Sequence, residues 1–265
     1  MDRTAPPPDF LRSLAIQTRV IGALVMREIV TRYGRHNIGF MWVFLEPMMF
    51  TSGVVAIWSF VHSHTTRLPV IPFIVTGYST VLLWRNTISR CGNAIEPNRA
   101  LLHHRNVRVV DLFTARLLLE IAGASISFMT LATLLTLTGL MPLPDDILKM
   151  IIAWLLLAWF SMAFGMVVGS LSAVFEPTDR IWHVFSYLFL PLSGAFFLVD
   201  WLPERMQNLA LLVPSVDCTE LLREGFFGRV IHAHYDLFYL VVVNFSLSFV
   251  ALACVRSVSV TVEGE

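Results

Sequence analysis

The chain has 265 residues, of which 56% are apolar or aromatic and only 14% are charged; its formal net charge is zero and its mean hydropathy is +0.69. A soluble domain carries about 25% charged residues, and a water-facing fold of this size cannot hide so much apolar surface. Composition therefore excludes an ordinary soluble fold and predicts an all-α integral membrane protein, while the balanced charge gives no sign of a nucleic-acid partner.

The elements follow in chain order. Residues 10–33 place Leu11, Leu14, Ile21, Val25 and Ile29 on one helical face, with Arg12, Arg19 and Arg27 roughly opposite. Three arginines spoil this stretch as a span, so it is expected to be an amphipathic helix lying in the membrane interface. Six spans are predicted after it, at 38–61, 68–88, 112–140, 147–175, 181–199 and 237–255. Each offers the roughly 20 residues that about 30 Å of hydrocarbon requires. Glu46 and Pro47 interrupt the first and predict a kink there.

The segment 201–228 is apolar yet broken. Trp201–Val213 and Val216–Phe227 are separated by Pro214-Ser215, and each piece is too short to span. Two re-entrant helices dipping into the outer leaflet are expected, a geometry allowed where protein surrounds the backbone. Pro203 suits a first helical position, Asp217 with Glu220 resembles a capping box, and Gly228 is placed to close the second helix. The whole of 1–265 reads as one transmembrane domain with no soluble domain.

Arginine placement sets the orientation. Arg3, Arg12, Arg19, Arg27, Arg32 and Arg35 precede the first span, and Arg90, Arg99, Arg105 and Arg108 lie between the second and third. The positive-inside rule then puts both termini and the second and fourth loops in the cytoplasm.

Eighteen of the nineteen basic residues are arginine; the single lysine, Lys149, follows Asp145-Asp146-Ile147-Leu148 without a glycine-rich turn. A phosphate-cradling loop needs such a turn before its lysine. No cofactor site is expected in this chain, and ATP-driven work would fall to a partner. Cys91, Cys218 and Cys254 are odd in number and far apart, which argues against a disulfide framework or zinc site. The polar, Pro-rich start, Met1–Pro8, does not read as a cleaved signal peptide.

Glu46 is the clearest acid inside a span and is a functional candidate on that ground, with a structural pairing role as the alternative. Arg116 and Glu120, four apart, are expected to pair with one another at the inner end of the third span. His62, His64, His232 and His234 form two His-x-His pairs, but no cysteine or carboxylate pattern supports a metal, and none is expected. Trp42, Phe44, Phe196 and Phe197 belong to a large aromatic set, most of it expected to face lipid, with some members suited to stacking on sugar rings. No catalytic set stands out, so an enzyme is not expected.

Two stretches carry a family resemblance. Met26-Arg-Glu-Ile-Val-Thr-Arg-Tyr-Gly-Arg-His-Asn-Ile-Gly-Phe-Met-Trp-Val-Phe-Leu-Glu-Pro47 resembles the signature of type-2 ABC exporter permeases. Pro214-Ser-Val-Asp-Cys-Thr-Glu-Leu-Leu-Arg-Glu-Gly-Phe-Phe-Gly228 is similar to the outer segment of capsular polysaccharide export proteins. The resemblance implies a homodimer in a bacterial inner membrane. It implies two separate ATPase subunits that bind ATP and Mg, a lipid-linked polysaccharide substrate, and periplasmic and outer-membrane export partners. It places the ATPase-coupling interface at Arg27, Glu28 and Arg32 and at Glu96, Asn98, Arg99, Leu101, Leu102, His103 and Arg105. It makes Tyr33, Trp42, Phe44, Glu46, Phe196, Phe197, Glu220, Arg223 and Glu224 candidates for the channel or its gates, with Glu220 and Arg223 spaced to pair. One departure is Glu176-Pro-Thr-Asp-Arg180, where the usual Arg-Asp order is reversed. O-antigen, teichoic acid or another bulky substrate is the alternative cargo; a transporter or channel working without ATP is the alternative class.

Overall fold

The structure, a computed structural model, describes residues 10–34, 37–61, 68–102, 107–175 and 177–263. Its long elements are all helical: α1 (Phe10–Tyr33), α2 (Asn37–Val61), α3 (Val70–Ser89), α4 (Arg99–Leu102), α5 (Val109–Leu137), α6 (Ile147–Val174), α7 (Pro177–Leu188), α8 (Glu204–Ala210), α9 (Pro214–Phe227) and α10 (Leu237–Glu263). No strand occurs among the described residues.

Among the described residues, four helices are long and apolar enough to cross a membrane, within α2, α5, α6 and α10. The predicted spans at 38–61, 112–140, 147–175 and 237–255 fall on these. The segment predicted at 68–88 coincides with α3, which is less apolar than the others because it is the centre of the bundle. It packs against α2, α5, α6, α7 and α9, and burial is unbroken from Pro72 to Trp84. Its Thr76, Ser79 and Thr80 are buried, and the Thr76 and Thr80 hydroxyls donate to backbone carbonyls one turn earlier.

The segment predicted at 181–199 is helical only to Leu188, a 12-residue helix that rises about 18 Å. Pro191 cannot continue the ladder, and Gly194 takes a positive φ of 81°, open to glycine at little cost. A tight turn at Leu190–Leu192 and irregular backbone carry the chain on to Val199.

α1 lies along α5 and α2. Its half-buried residues are Gln17, Val20, Ile21, Leu24, Val25, Glu28, Ile29 and Arg32, a helical stripe at i, i+3, i+4, i+7. Leu14, by contrast, is exposed, with Ile16, Met26 and Val30. The packed face therefore carries polar groups among its apolar ones, and the outer face is apolar enough for lipid. α6 reaches α5 and the turn after α3 through Gly165-x-x-x-Gly169: a Cβ at Gly169 would meet the Phe113 ring at 2.5 Å and the Cys91 carbonyl at 2.8 Å. Small residues at this spacing let backbones close in without water-driven packing.

Candidate coupling interface and outer re-entrant site

At one end of the bundle, charge from three elements converges. Glu28 on α1 accepts from Arg32 at 2.8 Å and is ion-paired with Arg116 on α5 at 3.0 Å. Glu120, one turn above Arg116, pairs with Arg32 and, at 3.6 Å, with Arg90 just after α3. Arg116 and Glu120 thus do not pair with each other along their helix; each reaches outward to α1, because the polar edge of α1 lies directly against them. Glu28, Arg32, Arg116 and Glu120 have side chains only 13–15% exposed, so these pairs are less screened than surface salt bridges. Burial works against the Arg32 charge, but the Glu120 and Glu28 carboxylates outweigh it and hold Arg32 above the ordinary arginine range.

The same cluster grips the turn that follows α3. The Arg116 guanidinium donates to the carbonyls of Arg90 (3.0 Å) and Asn93 (2.6 Å). The Trp182 indole of α7 donates to Ser89 at 2.9 Å, and the Asp179 carboxylate sits so close to Gly92 that a side chain there would collide with it. Further along, Arg27 donates to Asn98 at 2.5 Å, and Asn98 in turn donates to the Ala94 carbonyl at 2.8 Å. Gln17 of α1 bonds Asp111 of α5. A cavity of about 630 Å³ lies between this segment and the start of α7, with Asn93, Glu96, Arg99, Asp179 and Arg180 in its walls.

Of the residues predicted for coupling, Arg27 and Asn98 meet, Glu28 and Arg32 enter the cluster, and Glu96 and Arg99 form an exposed pair at 3.2 Å. Leu101 is half-buried, and Leu102 packs inward against the cluster of Cys91, Ala94, Ile95, Val255 and Val258. His103 and Arg105 lie outside the described residues, as do His62, His64 and the side chain of Tyr33. Sequence reasoning missed Arg90 as a member of the cluster, and Arg116 and Glu120 as bridges between helices. The available signal was two charges in the first three turns of an otherwise apolar span.

At the opposite end, α9 is almost wholly buried and packs on α6 and α3. Pro214 takes its first helical position and Gly228 ends it at φ 57°. Asp217 and Glu220 therefore lie inside the helix, not in a capping box, and each accepts from a distant backbone. Asp217 accepts from the Asp236 N–H at 3.1 Å, and Glu220 from those of Val199 (3.2 Å) and His234 (3.3 Å). Arg223, fully buried, donates to the carbonyls of Gly194 (2.7 Å), Phe197 (2.6 Å) and Ala195, with its guanidinium 3.9 Å from the centre of the Phe73 ring. The expected Glu220–Arg223 pair is replaced by these backbone bonds. The reason lies in the broken end of α7, whose carbonyls have no helical partner and must be met at depth. Gly77 makes the room, since a Cβ there would strike both Ala195 and Arg223.

Glu224 accepts from the Tyr235 hydroxyl at 2.7 Å and pairs with Lys149 at 3.2 Å. Phe196 stacks on Trp58 of α2 with centroids 5.4 Å apart and lies 6.2 Å from Tyr78; the Phe197 carbonyl is one of those held by Arg223. Trp42 is exposed, and Phe44 and Glu46 are half-buried in the inner half of α2. Trp42, Phe44 and Glu46 are not brought to the outer group. Among the described residues no three His, Cys, Asp or Glu side chains gather to hold a metal.

Residues 19–227 match the family described as ABC-2 type transporter. The chain belongs to that family. It is similar to the capsule polysaccharide export inner-membrane protein CtrC of Neisseria meningitidis serogroup B, at 44% identity over 96% of each chain. It is 42% identical to BexB of Haemophilus influenzae, again over 96% of each. The polysialic acid transport protein KpsM of Escherichia coli is 26% identical over 91% of this chain and 94% of its own. The family and the apolar helices make this chain a multi-pass transporter subunit, not an enzyme.

Proposed function

We propose that this chain is the membrane subunit of an ABC exporter that moves a lipid-linked capsular polysaccharide across the bacterial inner membrane. A separate ATPase subunit, binding ATP and Mg, supplies the force. The observation that carries the reading is the Glu28–Arg32–Arg116–Glu120 cluster, which ties α1, α5 and the turn after α3 into one unit at a single end of the bundle. A push on α1 or on the 90–102 segment then moves both. The full-length likeness to capsule polysaccharide export proteins supports the choice of cargo.

In this reading the coupling end is cytoplasmic, α9 lies toward the outside, and both termini are inside. The chain crosses six times, with α3 shielded by its neighbours and α7 plus its irregular continuation making the fifth crossing. Two copies meet through exposed apolar faces such as that of α2. Two ATPase subunits dock at Glu96, Arg99 and Leu101, and periplasmic and outer-membrane proteins continue the route.

The test is co-purification with the candidate ATPase. Combined Glu96→Arg and Leu101→Glu substitution should abolish the complex and export while the permease still inserts and folds. An intact complex in that variant would reject the docking surface, and no complex with wild type would reject the exporter reading. Single cysteines check the topology: one at Asp145 should react with an impermeant reagent from outside, and one at Asn98 should not.

A further inference from the structure

The half-buried arginines of the inner cluster have carboxylate partners. Arg32 and Arg116 pair with Glu28, and Arg90 with Glu120. Arg85 on α3 differs. Among the described residues no carboxylate pairs with it, and its Nε is buried without a hydrogen-bond partner. It stands where the burial of α3 first opens, four residues before the helix ends at Ser89, about 6 Å inside that end. An unmatched cation at such depth is costly and marks a site for a counter-charge.

The geometry gives the counter-charge a chemistry. The Arg85 guanidinium lies flat over the Tyr187 ring of α7, 3.9 Å from its centre. Stacking occupies one face of a guanidinium and leaves its N–H edges free for an in-plane, two-pronged acceptor such as a phosphate ester or carboxylate. Tyr187 is 60% exposed, and past it, toward the bilayer centre, Leu188 and Leu192 are exposed by 71% and 58%. An anion held at Arg85 therefore borders an apolar strip suited to acyl chains.

We propose that Arg85, backed by Tyr187, binds the phosphodiester headgroup of an amphiphile entering sideways from the inner leaflet, its chains running toward the bilayer centre along Leu188 and Leu192. This rests on the export reading: the amphiphile is the lipid end of the exported glycan. A phosphodiester is shared with ordinary phospholipid, and the experiment separates the two sources.

Full-length permease in detergent is titrated with fluorescent phosphatidylglycerol, then phosphatidylcholine, and competed with inorganic phosphate or with purified lipid-linked glycan. Wild type should prefer phosphatidylglycerol, and the glycolipid should displace it. Arg85→Gln should weaken phosphatidylglycerol binding roughly tenfold, the scale of one charge-assisted contact, with Arg85→Lys intermediate. Tyr187→Leu, which leaves the charge in place, should weaken it a few-fold. Unchanged binding in Arg85→Gln overturns the site. Displacement by millimolar inorganic phosphate overturns the amphiphile, and failure of the glycolipid to compete assigns the site to bulk lipid and overturns the substrate role. ATPase complex formation is scored on the same samples: its absence in wild type with Arg85-dependent binding intact would sink the export reading alone.

Discussion

Arg223 offers the sharpest test of how the α9 end of the bundle is held. Substitution by methionine keeps most of the volume but removes the donors that meet Gly194, Ala195 and Phe197. Three carbonyls left unpaired in a dry site cost about 1–3 kcal/mol each, and the lost stacking on Phe73 adds about 1–2 kcal/mol. Removing a fully buried charge returns several kcal/mol of desolvation. The net loss should be about 2–4 kcal/mol, or roughly 5–15 °C in melting temperature for a chain of this length. Arg223→Lys should be no better than methionine, since it keeps the buried charge but cannot span three acceptors. Thermal melting in detergent, followed by the fluorescence of Trp58 and Trp201 beside the site, reads both. A methionine variant melting within about 1 °C of wild type would refute the carbonyl-clamp reasoning, and a lysine variant clearly more stable than methionine would show that charge alone is what matters there.

Two further predictions follow from the charge pattern. Glu28→Gln removes the carboxylate shared by Arg32 and Arg116; it should leave the ATPase bound and hydrolysing but lower export several-fold, and unchanged export per ATP would contradict the linkage. Asp217 is fully buried, and that burial, reinforced by the neighbouring Asp236 and Glu220 carboxylates, pushes it up to about 7 despite the N–H it accepts from Asp236. Its folded value lies above its unfolded one, so the folded state holds the extra proton and stability falls as pH rises from about 4 to about 7, by at most about 1.4 kcal/mol per pH unit. Asp217→Asn should flatten the melting temperature across that range, and an unchanged slope would place the titrating group elsewhere.

Much of the architecture was legible because apolar runs of 25–29 residues leave little choice in a bilayer. The fifth segment misled because Phe189-Leu190-Pro191-Leu192 is as apolar as a helix while its proline and Gly194 break the ladder; hydropathy does not register hydrogen-bond continuity. Arg223 and Glu220 invited a local pairing from their spacing, but the broken backbone nearby presents stronger unmet groups than either offers the other. Arg116 and Glu120 invited the same local answer. Their partners on α1 sit 88 positions before them in the chain, and no local period announces a partner on another helix. Leu102 was expected at the coupling interface; it packs against a cluster that includes Val255 and Val258 of the last helix, which no reading of the loop alone supplies.

α7 is held at both ends by groups that also hold something else. Below, Trp182 bonds Ser89 and Asp179 packs on Gly92, in the turn that Arg116 grips. Above, its continuation is clamped by Arg223 and carries Phe196 onto Trp58. Between those ends it packs mainly on α6 and leaves one side exposed. A short helix fixed at its ends and little braced between them behaves as a strut, so a shift of the inner turn should reach Phe196. Trp182→Phe tests this: it deletes one hydrogen bond, worth about 1 kcal/mol, without emptying the Trp84–Phe164 packing around the ring. If the strut transmits, the variant should melt near wild type and hydrolyse ATP normally, yet lose the nucleotide-dependent change in cross-linking between cysteines placed at Trp58 and Phe196. A full nucleotide response in that variant would mean that force reaches the outer mouth by another route, with the rigid pairing of α3 and α6 the next to test.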